Sequence, residues 1–136
     1  MIQQDYFIRV IREFFEALAR ALSKPTPEDK SEAVHSLYEQ YLGSYEFYQN
    51  ATVEDAMQHI ASLYPEDQYL QRMEMLAELY YAEADLRATP IGQTLMERAL
   101  KLFSHIDSHS KTFSITRKQK IDAIRHRLGL ISGNTI

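Results

Sequence analysis

Apolar residues recur at steps of three and four along nearly the whole chain, and this spacing restricts the fold more than any other feature. The first segment shows it best, with seven apolar residues on one face of a helix: Phe7, Ile8, Ile11, Phe14, Phe15, Leu18 and Leu22. No apolar run alternates with period two, and four glycines are too few for a hairpin-rich fold. The pattern predicts an all-α protein.

Breaks in this pattern divide the chain into six predicted helices. Their approximate ranges are 5–23, 27–42, 53–64, 67–87, 91–107 and 115–128. Three starts are predicted from a threonine that can cap free amides: Thr26 before Pro27, Thr52 before Asp55, and Thr89 before Pro90. Two stops are predicted at Gly43 and Gly129, with Leu130 making the apolar contact that often follows such a glycine. The aromatic-rich residues 44–51 are predicted to be a connector.

The length of 136 residues fits one domain, 1–136, and the 45% hydrophobic and 25% charged residues are ordinary for a globular protein. The chain has no cysteine, which excludes a disulfide scaffold, a thiolate nucleophile and zinc sites built on sulfur. The most apolar segment, 6–22, carries charged residues at helical spacing, unlike a signal peptide or a membrane span. We therefore expect a cytoplasmic protein.

Charge is distributed unevenly, although the net charge is only −4. Residues 1–110 hold nine Lys or Arg against eighteen Asp or Glu, giving −9, whereas residues 111–136 hold six basic residues against one acid, giving +5. This basic C-terminal helix and tail could dock on the acidic body of the protein, or it could contact phosphates of a nucleic acid. The acidic balance of the whole chain disfavours nucleic acid, and we expect docking.

Residues 66–107 form a predicted helical hairpin whose spacing resembles one tetratricopeptide repeat. That motif places bulky apolar residues in its first helix and small residues in its second, so that the two helices approach closely. The corresponding residues here are Leu76, Leu79 and Tyr80 in the first helix. In the second helix, Gly92 and Ala99 are the small residues, and Met96 is the bulky residue between them. Departures are Tyr80 in place of a small residue, Glu83 in place of an aromatic residue, and a missing final proline. The resemblance implies antiparallel hairpins stacked in a tetratricopeptide-like arrangement.

The chain as a whole resembles a family of small, uncharacterised bacterial all-helical proteins. The resemblance rests on an amphipathic start at 4–9 (Gln-Asp-Tyr-Phe-Ile-Arg), a central Leu42-Gly43 stop, and the two hairpin motifs at 76–79 and 98–100. It implies a helical fold and a bacterial source. No activity is implied, because these are motifs of helix packing.

Few residues are spaced for catalysis or for binding a metal ion. His105 and His109 are four residues apart and could share a zinc ion on a continuous helix, but we expect the helix to end near Asp107. No Gly-x-Ser-x-Gly motif or glycine-rich phosphate loop is present. The acids of the fourth helix are interpreted as its solvated face: Glu74, Glu78, Glu83 and Asp85. We therefore predict no enzyme activity, no cofactor and no metal.

Nine tyrosines are the most suggestive feature, because tyrosine combines apolar area with a polar tip that suits protein interfaces. Six are predicted to line a partner-binding groove: Tyr38, Tyr41, Tyr45, Tyr48, Tyr80 and Tyr81. In the alternative, tyrosines fill gaps between helices and keep their hydroxyls in water. The leading hypothesis is a non-catalytic protein–protein interaction module or a self-associating protein, dimeric through the wide face of the first helix. The alternatives are a metal or small-ligand protein that uses His105 and His109, and weak nucleic-acid binding through the basic C-terminal helix.

Overall fold

The structure is a computed structural model that describes residues 2–129, with side chains from Tyr6 onward. The predicted contact of Leu130 and the last part of the basic tail, 130–136, lie outside the described residues. Over the described range the protein is helical and contains no β-strand, so the predicted all-α class is confirmed.

Seven α-helices are present among the described residues, one more than predicted. They are α1 (Ile2–Leu22), α2 (Pro27–Tyr41), α3 (Tyr45–Asn50), α4 (Val53–Leu63), α5 (Tyr69–Ala84), α6 (Ile91–His109) and α7 (Ile115–Arg127), with a 3₁₀ turn at Glu66–Gln68 before α5. The additional helix, α3, occupies the segment predicted to be a connector. Ser44 caps it by accepting a hydrogen bond from the amide of Phe47 at 3.2 Å. Gly43 permits the chain reversal between α2 and α3, since its φ of 113° is accessible to glycine.

Two of the three predicted caps form. The Thr26 hydroxyl accepts from the Asp29 amide at 3.0 Å, and the Thr52 hydroxyl accepts from the Asp55 amide at 3.1 Å. The predicted cap at Thr89 is wrong, because α6 begins one residue later than that cap requires: Pro90 is the N-cap, and no side chain caps this helix. Local side-chain chemistry therefore fixes the starts of α2 and α4 but not that of α6.

α5 lies at the centre of the molecule and carries much of the core. It packs along α6 and also contacts α1, α2 and α4. Its residues from Met75 to Tyr80 are all buried, which leaves this helix no solvated face over those turns. α1 packs chiefly on α2, and α7 packs on α6. No helix within residues 2–129 is long and apolar enough to cross a membrane.

Candidate protein-binding surface

The six tyrosines predicted to bind a partner divide into buried and partly exposed residues. Tyr38, Tyr48 and Tyr80 have no exposed surface, and Tyr41 is also buried. A partner cannot contact the first three in this conformation. Tyr45 and Tyr81 are partly exposed, and partner binding through these two stays a prediction.

The hydroxyl groups of Tyr38, Tyr48 and Tyr80 are bonded inside the protein, not to water as the alternative interpretation supposed. Tyr48 donates to the carbonyl oxygen of Leu42 at 3.0 Å, and Tyr80 donates to the carbonyl oxygen of Tyr48 at 2.6 Å. Burial raises the pKa of Tyr80 to about 12, so its hydroxyl stays protonated and remains a donor near neutral pH. The first bond joins α3 to the end of α2, and the second joins α5 to α3, so these tyrosines hold helices together.

Glu83 is the centre of a buried polar cluster that the sequence did not reveal. Its Oε1 accepts from the Tyr38 hydroxyl at 2.8 Å and from the Gln49 amide at 3.0 Å. Its Oε2 accepts from the Tyr45 hydroxyl and from Arg87 at 2.9 Å. The interpretation of Glu83 as a solvated acid is wrong, since four donors from three parts of the chain surround it and it is 4% exposed.

This cluster raises the pKa of two of its tyrosines. Burial, followed by the hydrogen bond and charge of Glu83, raises the pKa of Tyr45 to about 12. The same causes raise the pKa of Tyr38 well above its usual value. Both hydroxyls are therefore donors to the carboxylate at neutral pH, and α2, α3 and α5 are joined at one point. Both carboxylate oxygens of Glu83 are occupied by neighbouring donors, which gives the cluster a structural role.

α1 carries two apolar stripes one residue apart, and only one of them is buried. Phe7, Phe14 and Ala21 face the core and are 6%, 0% and 3% exposed. The next residue in each case is Ile8, Phe15 and Leu22, which we call the outer stripe. These three side chains are 55%, 40% and 39% exposed. Residues seven apart lie on nearly the same face of an α-helix, so the outer stripe is one line of exposed apolar side chains along α1.

A groove of about 520 Å³ runs between the outer stripe and α5. We call it the α1–α5 groove. Its apolar lining consists of Phe15, Leu18, Ala19 and Leu22 from α1, and Tyr81, Ala82 and Leu86 from α5 and the residues after it. A second depression of about 520 Å³ lies at the other end of α1, between Ile8 and Ile11 on one side and Gln68 and Gln71 on the other. The outer stripe therefore faces a concave surface near both of its ends.

One side of the α1–α5 groove is polar. Glu78 and Lys120 form an ion pair with 2.6 Å between Oε2 and Nζ, and both residues line the groove. Burial raises the pKa of Glu78, and the hydrogen bond and charge of Lys120 oppose that shift. Glu78, like Glu83, was interpreted as solvated, and its burial against α7 corrects that interpretation. This ion pair joins α7, through Lys120, to α5 beside the groove.

The basic C-terminal helix docks on the acidic body, as the sequence led us to expect. Arg117 is buried and pairs with Glu74 and Asp107, at 3.4 and 3.1 Å. Lys118 also pairs with Asp107, at 2.6 Å, and these hydrogen bonds lower the pKa of that carboxyl group. The pairs Lys120–Glu78 and Arg127–Asp85 complete the contact. Four of the basic side chains of the predicted nucleic-acid surface are therefore neutralised within the chain.

His105 and His109 lie together at the end of α6, which continues through His109 and not only to Asp107. Their rings are stacked with centroids 4.1 Å apart, and Nδ1 of His109 is 2.8 Å from the carbonyl oxygen of His105. Burial, and then the neighbouring His109, lower the pKa of His105. No group of three or more metal-ligating side chains occurs in the part of the chain that the structure describes. The two histidines alone would supply half of a tetrahedral zinc site.

The resemblances to small bacterial helical proteins and to one tetratricopeptide repeat rest on sequence motifs alone. Neither carries a known binding residue to a position of this chain. No protein-family model, curated protein or solved structure matches the chain.

Proposed function

We propose that this chain is a non-catalytic protein-interaction module that binds an apolar helical segment in the α1–α5 groove. One observation carries the proposal: the outer stripe exposes three large apolar side chains at seven-residue spacing beside a concave apolar surface. A helix laid in a groove is recognised through side chains at this kind of spacing. Large apolar side chains exposed on one face of a helix beside a concave apolar surface are typical of an interface.

The binding surface so proposed is not the one predicted from the tyrosines. Of the six, Tyr81 lines the α1–α5 groove, where it offers an apolar ring to a bound helix. The buried tyrosines contribute indirectly, because their hydrogen bonds join α2 and α3 to α5, which forms one wall of the groove. A non-catalytic role is favoured because the buried acid Glu83 is already engaged. Both of its carboxylate oxygens accept hydrogen bonds from neighbouring side chains.

Neither alternative function gains support from a particular observation. Ion pairing of α7 with the acidic body leaves fewer cations for phosphates, which weighs against nucleic acid. The stacked His105 and His109 lack a third ligand among the described residues, which weighs against metal binding. A cytoplasmic location in a bacterium remains part of the proposal, favoured by the absence of cysteine and by the family resemblance.

A tetratricopeptide-like packing of α5 on α6 is a further part of the proposal. Gly92 supports it, because a Cβ built at this position would lie 2.6 Å from the carbonyl oxygen of Arg87 and 2.8 Å from that of Ala84. The start of α6 thus requires a residue without a side chain, as the small position of that motif does. Ala99, the second small position, is completely buried.

A pair of matched substitutions tests the proposed binding surface. Phe15→Glu places a charge in the groove, and Leu63→Glu places one on an exposed apolar residue of α4 outside it. Tagged variants and the unchanged chain are compared for the proteins they retain from a lysate of the source organism. We expect Phe15→Glu to lose the partner, the same chain included, and Leu63→Glu to keep it. Equal retention by both variants would contradict the proposal.

A further inference from the structure

A cavity of about 290 Å³ lies between the last residues of α3 and the start of α6. We call it the arginine cavity. Its polar lining includes Gln49, Arg87 and Arg98, and its apolar lining includes Ile91 and Leu95. It shares no lining residue with the α1–α5 groove. A volume of this size lies at the lower end of the range for small-molecule sites, so the cavity suits a small ligand.

Both arginines of this cavity are anchored through the same nitrogen of the guanidinium group. Nη1 of Arg98 donates to the carbonyl oxygens of Tyr48 and Gln49, at 3.3 and 2.9 Å. Nη1 of Arg87 donates to Oε2 of Glu83 at 2.9 Å. These bonds hold each guanidinium group in place before any ligand arrives, which lowers the entropic cost of binding.

The other edge of each guanidinium group, formed by Nε and Nη2, has no hydrogen-bond partner among the described residues. Over the same range, Nε of Arg72 is the one buried side-chain nitrogen without a partner, so these edges of Arg87 and Arg98 are accessible to solvent. Nε and Nη2 together form a fork that binds two oxygens of one carboxylate or phosphate group. Each arginine therefore offers a two-point donor for an oxyanion.

Positive charge exceeds negative charge at the cavity. Within residues 6–129, no carboxylate lies within ion-pair distance of Arg98. Its guanidinium group instead contacts two carbonyl oxygens and the ring of Tyr80, 5.7 Å from Cζ to the ring centroid. Arg87 pairs with Glu83, but that carboxylate also accepts from three uncharged side chains. Two cations thus share one carboxylate, and an anion in the cavity would balance the remaining charge.

We infer that the arginine cavity binds a small organic oxyanion, in which a carboxylate or phosphate group is attached to an apolar group. The Nε–Nη2 edges of Arg87 and Arg98 bind the anionic group, and Ile91 contacts the apolar group. Ile91 supports this division, because its large apolar side chain lines the same cavity as the two cations and is 46% exposed. The inference goes beyond the proposed function and is independent of it, since it concerns a different surface.

Titration of the full chain with phenyl phosphate, followed by NMR through the Nε–H signals of Arg87 and Arg98, tests the inference. We expect both signals to shift to saturation, with a dissociation constant of about 1 mM or lower. Inorganic phosphate lacks the apolar group and should bind about fivefold more weakly. Benzoate compares the carboxylate with the phosphate, and the tighter of the two identifies the preferred anionic group. Benzyl alcohol is uncharged and should not bind.

Substitutions locate the binding site. Arg87→Gln removes one cation, and Arg98→Lys keeps the charge but removes the fork; each should raise the dissociation constant for phenyl phosphate about tenfold. Arg125→Gln is the matched control, because it removes an exposed cation of α7 outside the cavity, and it should change the constant by less than about twofold. Ile91→Ala should weaken the binding of phenyl phosphate and leave that of inorganic phosphate unchanged.

No saturable shift at about 20 mM phenyl phosphate would overturn the inference. Equal weakening by Arg125→Gln and by the two cavity variants would also overturn it. Ile91→Ala keeps the test decisive if an arginine variant does not fold, since Ile91 lies at the surface. Unchanged binding of phenyl phosphate by Ile91→Ala would contradict the inferred apolar contact. The proposed function fails separately, because Phe15→Glu leaves the arginine cavity intact and should still bind phenyl phosphate.

Discussion

Replacement of Glu83 by leucine should destabilise the protein by about 3 kcal/mol, as is typical when one partner of a buried charged pair is removed. The Tyr38 hydroxyl, which has no access to water, loses its acceptor at a cost of about 2 kcal/mol. Tyr45 and Gln49 are partly exposed and recover part of their bonding from water, so each contributes about 0.5–1 kcal/mol. The side chain of Arg87 is 36% exposed and adds about 0.5 kcal/mol. Relief of the carboxylate's desolvation offsets part of this total.

Urea unfolding followed by circular dichroism measures the loss, with Glu97→Leu on the exposed side of α6 as the matched control. Tyr38→Phe in the Glu83→Leu background should recover about 1–2 kcal/mol, because it removes the stranded donor. A loss below about 1 kcal/mol would fall to the level of an ordinary surface substitution. A loss that small, or a Tyr38→Phe change that recovers no stability, would refute the conclusion that the hydrogen bonds of Glu83 stabilise the contact between α2, α3 and α5.

Three further changes test other parts of the structure. Because the pKa of Tyr45 is raised above that of an unfolded tyrosine, its contribution to stability is complete below pH 10 and is lost as pH rises to about 12. Tyr45→Phe should reduce the alkaline loss of stability in thermal melts, while the part due to Tyr38 and Tyr80 remains. Gly92→Ala should cost about 1–2 kcal/mol by its contact with the Arg87 carbonyl, whereas a gain in the free energy of unfolding would show that the helices can separate there. The lowered pKa of Asp107 makes its contribution present above about pH 4 and lost at lower pH, so Asp107→Asn should flatten the acid limb of the stability curve.

Features encoded within one turn of helix could be predicted from the sequence. Thr26 and Thr52 cap helices because their partners lie three residues away, and the residues in between hold them in reach. α3 escaped prediction because six residues are too few to show a 3.6-residue period. The start of α3 is nevertheless encoded locally, because Ser44 is placed three residues before Phe47 and can cap the helix through that amide.

Contacts between distant parts of the chain account for most of what the sequence did not show. Glutamate is a residue type that usually lies at the surface. Glu83 is buried because it bonds to Tyr38 and Tyr45, about forty residues earlier in the chain. Arg117 is buried for the same kind of reason, by pairing with Glu74. The wide apolar face of α1 was visible in the sequence. Which half of that face stays exposed was not, because it depends on the placement of α2 and α5.

Photo-cross-linking at the outer stripe is the most direct measurement of whether that surface binds a partner. Benzoylphenylalanine is incorporated in cells at Phe15 and, as a matched control, at exposed Leu63 of α4. We predict a cross-linked product from the Phe15 position, either with a second copy of this chain or with another protein, and none from the Leu63 position. The mass of the product identifies which of the two occupies the outer stripe. The absence of any product at Phe15, or equal products at both positions, would contradict the proposed function.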